Sequence, residues 1–155
     1  MVPILSKLYK AGDIENFRLI YNRKLWQVSI IGIVGLLLLG VLGRSALDLL
    51  VGYGNITTDN EKELWWVMIW LGGMFIGGLG GQICSSTFYA CGNTKTPTQM
   101  SMLTYTVYIP CKVAAFYFWG VAGLGIATSI YYMTNLLLLV YLLKKEQTLW
   151  IFQHK

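Results

Sequence analysis

The sequence predicts an all-α integral membrane protein with four transmembrane helices, preceded by a short amphipathic helix. Its 155 residues are 55% hydrophobic and only 12% charged, whereas about a quarter of the residues in a soluble domain are charged. A soluble chain of this length could not bury so much apolar surface, and a disordered chain has low hydrophobicity and high net charge. At about 20 residues for each membrane-spanning helix, the length allows four or five crossings.

Residues 1–24 form a mixed, basic segment ahead of the first long apolar run. Gly12 and Asp13 interrupt this segment, and Asp13 is predicted to cap a short amphipathic helix that lies along the membrane surface. The apolar side of that helix carries Ile14, Phe17, Leu19 and Ile20. The first span is predicted at residues 25–43, which contain no ionisable side chain and are long enough to cross the hydrocarbon core.

The second span is predicted at residues 64–89, after a capped helix start at Thr58, Asp59 and Glu61. Three tryptophans near its beginning are typical of a membrane–water interface: Trp65, Trp66 and Trp70. Three glycines recur at every fourth residue and form one smooth face for close helix packing: Gly73, Gly77 and Gly81. The alternative is that these glycines reflect only the high frequency of glycine in membrane helices.

The stretch from residue 99 to residue 143 contains one charged side chain, Lys112. As a single helix it would measure about 68 Å, about twice what a bilayer needs, so the chain must turn. The glycines that suit the turn are Gly120, Gly123 and Gly125. The third span is therefore predicted at residues 98–119 and the fourth at residues 121–143.

The charges between the predicted spans give an orientation. Residues 1–24 and the tail at 144–155 are basic, the polar loop at 90–97 carries a lysine, and residues 44–63 are acidic overall. The positive-inside rule places both termini and the loop at 90–97 in the cytoplasm. All of residues 1–155 then form a single membrane domain.

One face of the third span carries polar side chains at helical spacing: Ser101, Tyr105, Tyr108 and Lys112. We interpret them as candidates for a wet cavity that attracts an anionic headgroup, because an ionisable residue inside a span is a functional candidate. The alternative is that Lys112 extends along its own stem to the nearer interface.

The fourth span has a similar face with Thr128, Tyr132 and Asn135. Asn135 is a further cavity candidate, although asparagine in membranes also makes hydrogen bonds between helices. Pro110 is predicted to kink the third span, since it removes a helical hydrogen bond.

No pattern in the sequence indicates an enzyme. It has no paired carboxylates, no nucleophile with a partner base and no phosphate-binding loop. Its three cysteines lack metal-ligand spacing, so neither a metal nor a cofactor is expected. The basic residues lie beside the spans as topology signals, so nucleic acid is not an expected partner.

Three segments of the sequence resemble a known family. Residues 88–97 read Phe-Tyr-Ala-Cys-Gly-Asn-Thr-Lys-Thr-Pro, residues 120–129 read Gly-Val-Ala-Gly-Leu-Gly-Ile-Ala-Thr-Ser, and residues 3–6 read Pro-Ile-Leu-Ser before Gly12 and Asp13. They are similar to the FYAxxxTKTP-type, GxAGLALATS and PxLS–GD segments of the lipid II flippase family, also called MurJ or MviN. The resemblance extends over nearly the whole chain, and the FYA–TKTP segment is its most specific part.

The resemblance places the FYA–TKTP segment in a cytoplasmic loop that positions the second and third spans. The residues that match the family's segment are Phe88, Tyr89, Ala90, Thr94, Lys95, Thr96 and Pro97. Pro97 also suits the first turn of the following helix. No arginine that grips substrate is carried over, because the first lobe, which supplies most of the family's cavity arginines, has no counterpart in this sequence. Arg44, expected at the end of the first span, matches none of them.

The resemblance implies that this chain forms part of one lobe of a two-lobed flippase. That flippase would belong to the multidrug/oligosaccharidyl-lipid/polysaccharide exporter superfamily and lie in the bacterial cytoplasmic membrane. Such proteins move a polyprenyl-pyrophosphate-linked sugar by alternating access, and lipid II transport serves peptidoglycan synthesis and cell shape. The expected partners are membrane lipids, the lipid-linked sugar and the missing lobe or a partner chain. The alternatives are an O-antigen or capsule polysaccharide flippase of the same superfamily and a non-transporting four-helix assembly subunit.

Overall fold

Helices joined by short turns make up the part of the chain that the structure describes. The computed structural model describes the backbone of residues 2–51 and 58–153 and the side chains of residues 2–50 and 62–146. The helices are α1 (Val2–Ala11), α2 (Ile14–Val51), α3 (Thr58–Trp70), α4 (Gly72–Ala90) and α5 (Lys95–Gln153). The all-α prediction is confirmed for these residues. The side chains of the cap predicted for the second span lie outside the described residues: Thr58, Asp59 and Glu61.

A tight corner joins α1 to α2 at Gly12 and Asp13. Gly12 has a φ of 75°, a left-handed conformation that glycine adopts without strain. Asp13 caps α2 as predicted, because its Oδ1 accepts the backbone N–H of Asn16 at 3.2 Å. Hydrogen bonds from the side chain and then the backbone of Asn16 hold the pKa of Asp13 below its usual value.

Helix α2 is uninterrupted from this corner to Val51, which corrects two predictions. Residues 14–20 are the first turns of α2 and not a separate surface helix, because no glycine or proline lies between Asp13 and Gly32 to end a helix. Helix α2 also continues past the predicted end of the first span, because residues 44–51 contain no helix-breaking residue either.

The predicted second span is divided into α3 and α4 by a break at Leu71, just before a pair of glycines. At the break the N–H of Met74 bonds the carbonyl oxygen of Leu71 at 2.9 Å, three residues back instead of four. The carbonyl oxygen of Trp70 instead accepts a hydrogen bond from the hydroxyl of Ser129 in α5. A backbone group released from a helix in apolar surroundings needs such a partner.

Helix α5 folds back on itself at Gly120, which confirms the predicted turn. Gly120 has a φ of 58° and a ψ of −141°, a combination that only glycine adopts readily. The hydroxyl oxygens of Tyr108 and Thr128, on either side of the fold, lie 2.8 Å apart. The first arm (residues 95–119) and the second arm (residues 121–153) therefore run antiparallel and form a hairpin.

The other two glycines proposed for the turn lie in close helix packing. A Cβ on Gly123 would clash with the carbonyl oxygen of Ala115 across the hairpin. A Cβ on Gly125 would lie 3.2 Å from the Cβ of Trp70 in α3. Pro110 lies within the first arm, and the kink predicted there stays a prediction.

Among the described residues, three helical stretches are long and apolar enough to cross a membrane: Ile14–Leu50, Lys62–Ala90 and Lys95–Glu146. The first two correspond to the predicted first and second spans. The third comprises both arms of the hairpin, so it holds the predicted third and fourth spans within one stretch.

Buried apolar side chains gather at the end of the molecule where α1 meets α2 and α4 meets α5. One cluster joins α2, α4 and the second arm: Tyr21, Cys84, Phe88, Leu139 and Leu143. The other joins the α1–α2 corner to the end of α4: Leu5, Phe17 and Ala90. Leu19, predicted to share the apolar side of Phe17, is 65% exposed, because residues two apart point to different sides of a helix.

Candidate functional site

Polar side chains connect the two arms of α5. Thr104 is buried, and its hydroxyl oxygen lies 3.4 Å from the amide oxygen of Asn135. One turn further along, the hydroxyl of Tyr108 contacts that of Thr128. Thr128 donates its single hydroxyl proton to the carbonyl oxygen of Leu124 at 2.6 Å, so Tyr108 is the donor in this pair. Asn135, a predicted cavity residue on the second arm, thus contacts the first arm of α5.

Tyrosine rings cluster beside these polar contacts. The rings of Tyr108 and Tyr131 are stacked with centroids 4.6 Å apart. The ring of Tyr105 lies 5.8 Å from that of Tyr108 and 5.9 Å from that of Tyr131. These separations are typical of favourable aromatic pairs. The cluster therefore holds the two arms in register, while Tyr105 keeps 52% of its surface exposed.

Lys112 lies against this cluster and points away from the tip of the hairpin. Its Nζ is 5.5 Å from the ring centroid of Tyr108, one turn earlier in the helix, which is a cation–π distance. Helical side chains lean toward the preceding turn, and here that direction leads away from Gly120. This orientation weighs against the alternative in which Lys112 reaches to the interface near the tip. Ser101, the remaining member of the predicted stripe, is partly exposed two turns before Tyr108.

An apolar groove of about 570 Å³ runs between the two arms. Its walls include Leu103, Val107, Cys111, Phe118, Ile130 and Leu138. Among the predicted polar stripe, only Tyr108 lines this groove. The polar stripe and the groove are therefore neighbouring features that share one residue.

The predicted glycine face of α4 lies against the second arm. A Cβ on Gly77 would lie 2.6 Å from the backbone carbonyl carbon of Tyr132, and one on Gly73 would lie 2.7 Å from the Cβ of Ser129. Gly81 has more room, since the nearest atom to its added Cβ is the Nδ2 of Asn135 at 3.9 Å. Of the three glycines, Gly77 is therefore the one where α4 lies closest to the backbone of the second arm.

The FYA–TKTP segment forms the corner between α4 and α5. Gly92 has a φ of 78°, and its N–H bonds the carbonyl oxygen of Tyr89 at 3.0 Å. The N–H of Asn93 bonds the carbonyl oxygen of Phe88 at 3.0 Å, which completes a Schellman motif. Asn93 Oδ1 then accepts the N–H of Thr96 at 3.1 Å. Asn93 therefore closes α4 and caps α5.

The seven residues that match the family's segment differ in how far they are exposed to solvent. Phe88, Ala90 and Pro97 are buried, Thr96 is partly exposed, and Tyr89, Thr94 and Lys95 are exposed. Pro97 lies in the first turn of α5, as predicted. The amide of Asn93 donates to Thr96 Oγ1 at 2.9 Å and to the carboxylate of Glu146 on the second arm. The segment thereby joins the end of α4 to both arms of α5.

Comparison with known families identifies the family of the chain. The sequence model described as "Lipid II flippase MurJ" matches residues 1–154. The chain belongs to the lipid II flippase MurJ family. This confirms the family that residues 88–97 and 120–129 indicated.

A curated relative in the MurJ family is described as a probable lipid II flippase MurJ from Vibrio cholerae serotype O1. It is 22% identical to this chain over 139 residues. The match covers 90% of this chain and 26% of the relative, so the chain spans about a quarter of the relative's length. No solved structure matches the chain.

The α1–α2 corner of this MurJ-family chain repeats the hydrogen bonds of the α4–α5 corner. The N–H of Asp13 bonds the carbonyl oxygen of Leu8 at 3.1 Å, as the N–H of Asn93 bonds that of Phe88. In both corners a left-handed glycine is followed by a residue that caps the next helix. Sequence reasoning missed this repeat and the role of Asn93. The signal that could have found them is the pair of Gly-Asp and Gly-Asn steps between apolar helices.

The three cysteines of the chain are free thiols: Cys84, Cys91 and Cys111. Burial raises the pKa of Cys91 to about 11, and the nearby carboxylate of Glu146 adds to this effect. The Cys91 thiol therefore stays protonated at neutral pH and is a poor nucleophile. Within the described residues, no group of three His, Cys, Asp or Glu side chains could hold a metal ion.

Proposed function

We propose that the chain forms part of one lobe of a lipid II flippase in the bacterial cytoplasmic membrane. The observation that carries this proposal is the family match over residues 1–154. The chain spans about a quarter of its curated relative, which is named a probable lipid II flippase. A two-lobed cavity needs more helices than α1 to α5 supply, so transport of the polyprenyl-pyrophosphate-linked sugar requires the other lobe.

Four crossings with both termini in the cytoplasm complete the proposal. Residues 98–119 and 121–143 would each rise about 33 Å or more, against a hydrocarbon core of about 30 Å. The tip of the hairpin is uncharged. At the opposite end, the basic N-terminal segment, the corner at residues 91–94 and the end of the second arm pack together, which supports placing them all on the cytoplasmic side.

Cysteine labelling in intact cells tests this topology. In a background with the three native cysteines replaced by alanine, we expect Val121→Cys at the hairpin tip to react with a membrane-impermeant maleimide added outside. We expect Thr94→Cys in the corner to react only after the membrane is permeabilised. Labelling of both positions from the same side would mean that the arms of α5 do not cross separately.

Reconstitution into liposomes tests the transport function. We expect fluorescent lipid II to be flipped when this chain is combined with a chain that supplies the other lobe, and not by this chain alone. Flipping by the chain alone would contradict the need for a second lobe, and no flipping by the combined protein would contradict the function. An excess of an O-antigen-type lipid-linked sugar should leave the rate unchanged, since the family match is to the lipid II type.

A further inference from the structure

In the proposed four-crossing topology, Lys112 lies inside the membrane and not at its surface. About 12 Å of helix rise separates it from Gly120, and its Nζ leans over the ring of Tyr108, further still from the tip. The sequence from residue 99 to residue 143 holds no carboxylate, and the carboxylate of Glu146 on the second arm contacts Asn93, at the end of the hairpin away from the tip. An ammonium in a span is costly unless an anion or water meets it.

The groove beside Lys112 is longer than the hydrocarbon chain of a lipid that fills one leaflet of the membrane. It extends from Leu103 to Trp119, about 24 Å of helix rise, whereas one leaflet fills about 15 Å, half of the hydrocarbon core. Tyr108 joins the two features, because it lines the groove and its ring lies under the ammonium. A long hydrocarbon chain that ends in a phosphate group matches this combination of an apolar groove and one cation.

The ring of Tyr108 is fixed from two sides. Its hydroxyl donates to Thr128 on the other arm, and its face stacks on Tyr131. The cation–π contact therefore holds Lys112 at a defined position along the groove. A preorganised cation loses less entropy on binding an anion than a freely moving one.

We propose that Lys112, Tyr108 and the apolar groove form a site that binds a polyprenyl diphosphate lipid while its head crosses the membrane. The diphosphate contacts Lys112, and the chain lies in the groove. A resident phospholipid keeps its phosphate at the interface, about 12 Å of helix rise from Lys112. A transported lipid carries its phosphates past this depth. This proposal rests on the proposed flippase function, and it names the residues of this chain that contact the transported lipid.

Photo-crosslinking in proteoliposomes tests the site with three probes. They are a polyprenyl diphosphate, the uncharged polyprenol with the same chain and phosphatidylglycerol, each with a photoreactive group in its hydrocarbon chain. We expect the polyprenyl diphosphate to label groove residues and not Val41, which is 76% exposed on α2. Lys112→Gln should reduce this labelling about tenfold, because it removes a charge-assisted contact, and should leave polyprenol labelling unchanged. Lys112→Arg should retain diphosphate labelling.

Two further variants separate a binding site from a folding effect. Ala114→Trp narrows the groove and should reduce labelling by both polyprenyl probes. Lys24→Gln replaces an exposed lysine in the first turns of α2 and should leave labelling by both probes unchanged.

Labelling of Lys112→Gln equal to wild type would overturn the site. Groove labelling by phosphatidylglycerol as strong as that by the diphosphate would also overturn it. Because labelling does not require flipping, lipid II flipping without labelling would refute the site alone, and labelling without flipping would refute the transport function alone.

Discussion

The two sides of helix α4 carry glycines in different surroundings. Toward the second arm of α5, a Cβ on Gly77 would lie 2.6 Å from a backbone atom of Tyr132. Toward α2, a Cβ on Gly72 would lie 2.7 Å from the side chain of Leu36. The distances are nearly equal, but a leucine can change rotamer, whereas a backbone atom moves only with its whole helix. The cost of filling a glycine therefore depends on what it faces more than on how near that neighbour is.

The largest effect is expected at Gly77. Gly77→Ala forces α4 and the second arm apart and should cost about 2–3 kcal/mol of stability, as overpacking does. We expect the thermal unfolding midpoint of the detergent-purified protein to fall by about 5–10 °C. A midpoint within 1 °C of wild type, a margin of roughly half a kcal/mol or less, would show that the helices do not meet at this backbone contact.

A smaller effect is expected at Gly72. Gly72→Ala meets only the movable side chain of Leu36, so it should cost less than about 1 kcal/mol and lower the midpoint by about 2 °C. In a Leu36→Ala background, Gly72→Ala should cost almost nothing relative to Leu36→Ala alone, because the clashing atoms are gone. A fall as large as that of Gly77→Ala would contradict the difference between the two sides.

Gly81 provides the matched control on the same helix. Alanine there meets no atom nearer than 3.9 Å and restricts the unfolded chain more than glycine does. Gly81→Ala should therefore leave the midpoint unchanged or raise it slightly. If it lowers the midpoint as much as Gly77→Ala, the two glycines act alike and the local contacts do not decide the effect.

Local signals predicted some of the helix ends. The turn at Gly120, the cap at Asp13 and the place of Pro97 in the first turn of α5 all depend on a few neighbouring residues, so their chemistry is visible in the sequence. The break at Leu71 was not predicted. Its stability depends on a hydroxyl donated by Ser129, far away in the chain.

The candidate site was only partly visible in the sequence. Helical spacing placed Tyr105, Tyr108 and Lys112 on one face, since residues three and four apart are neighbours on a helix. The ring of Tyr131 and the groove between the arms could not be foreseen, because both exist only once the hairpin has closed. The contact of Lys112 with Tyr108 is local, because the two residues are four apart in one helix.

The sequence by itself determined that this is a helical protein of the lipid II flippase MurJ family with apolar helices of membrane-spanning length. Composition and short motifs carry that information, because helix formation and transfer into lipid are summed residue by residue. Only the tertiary structure decided which glycine meets a backbone, which polar groups are shared between helices and how the ring of Tyr108 is held. Those outcomes depend on atoms brought together from distant parts of the chain.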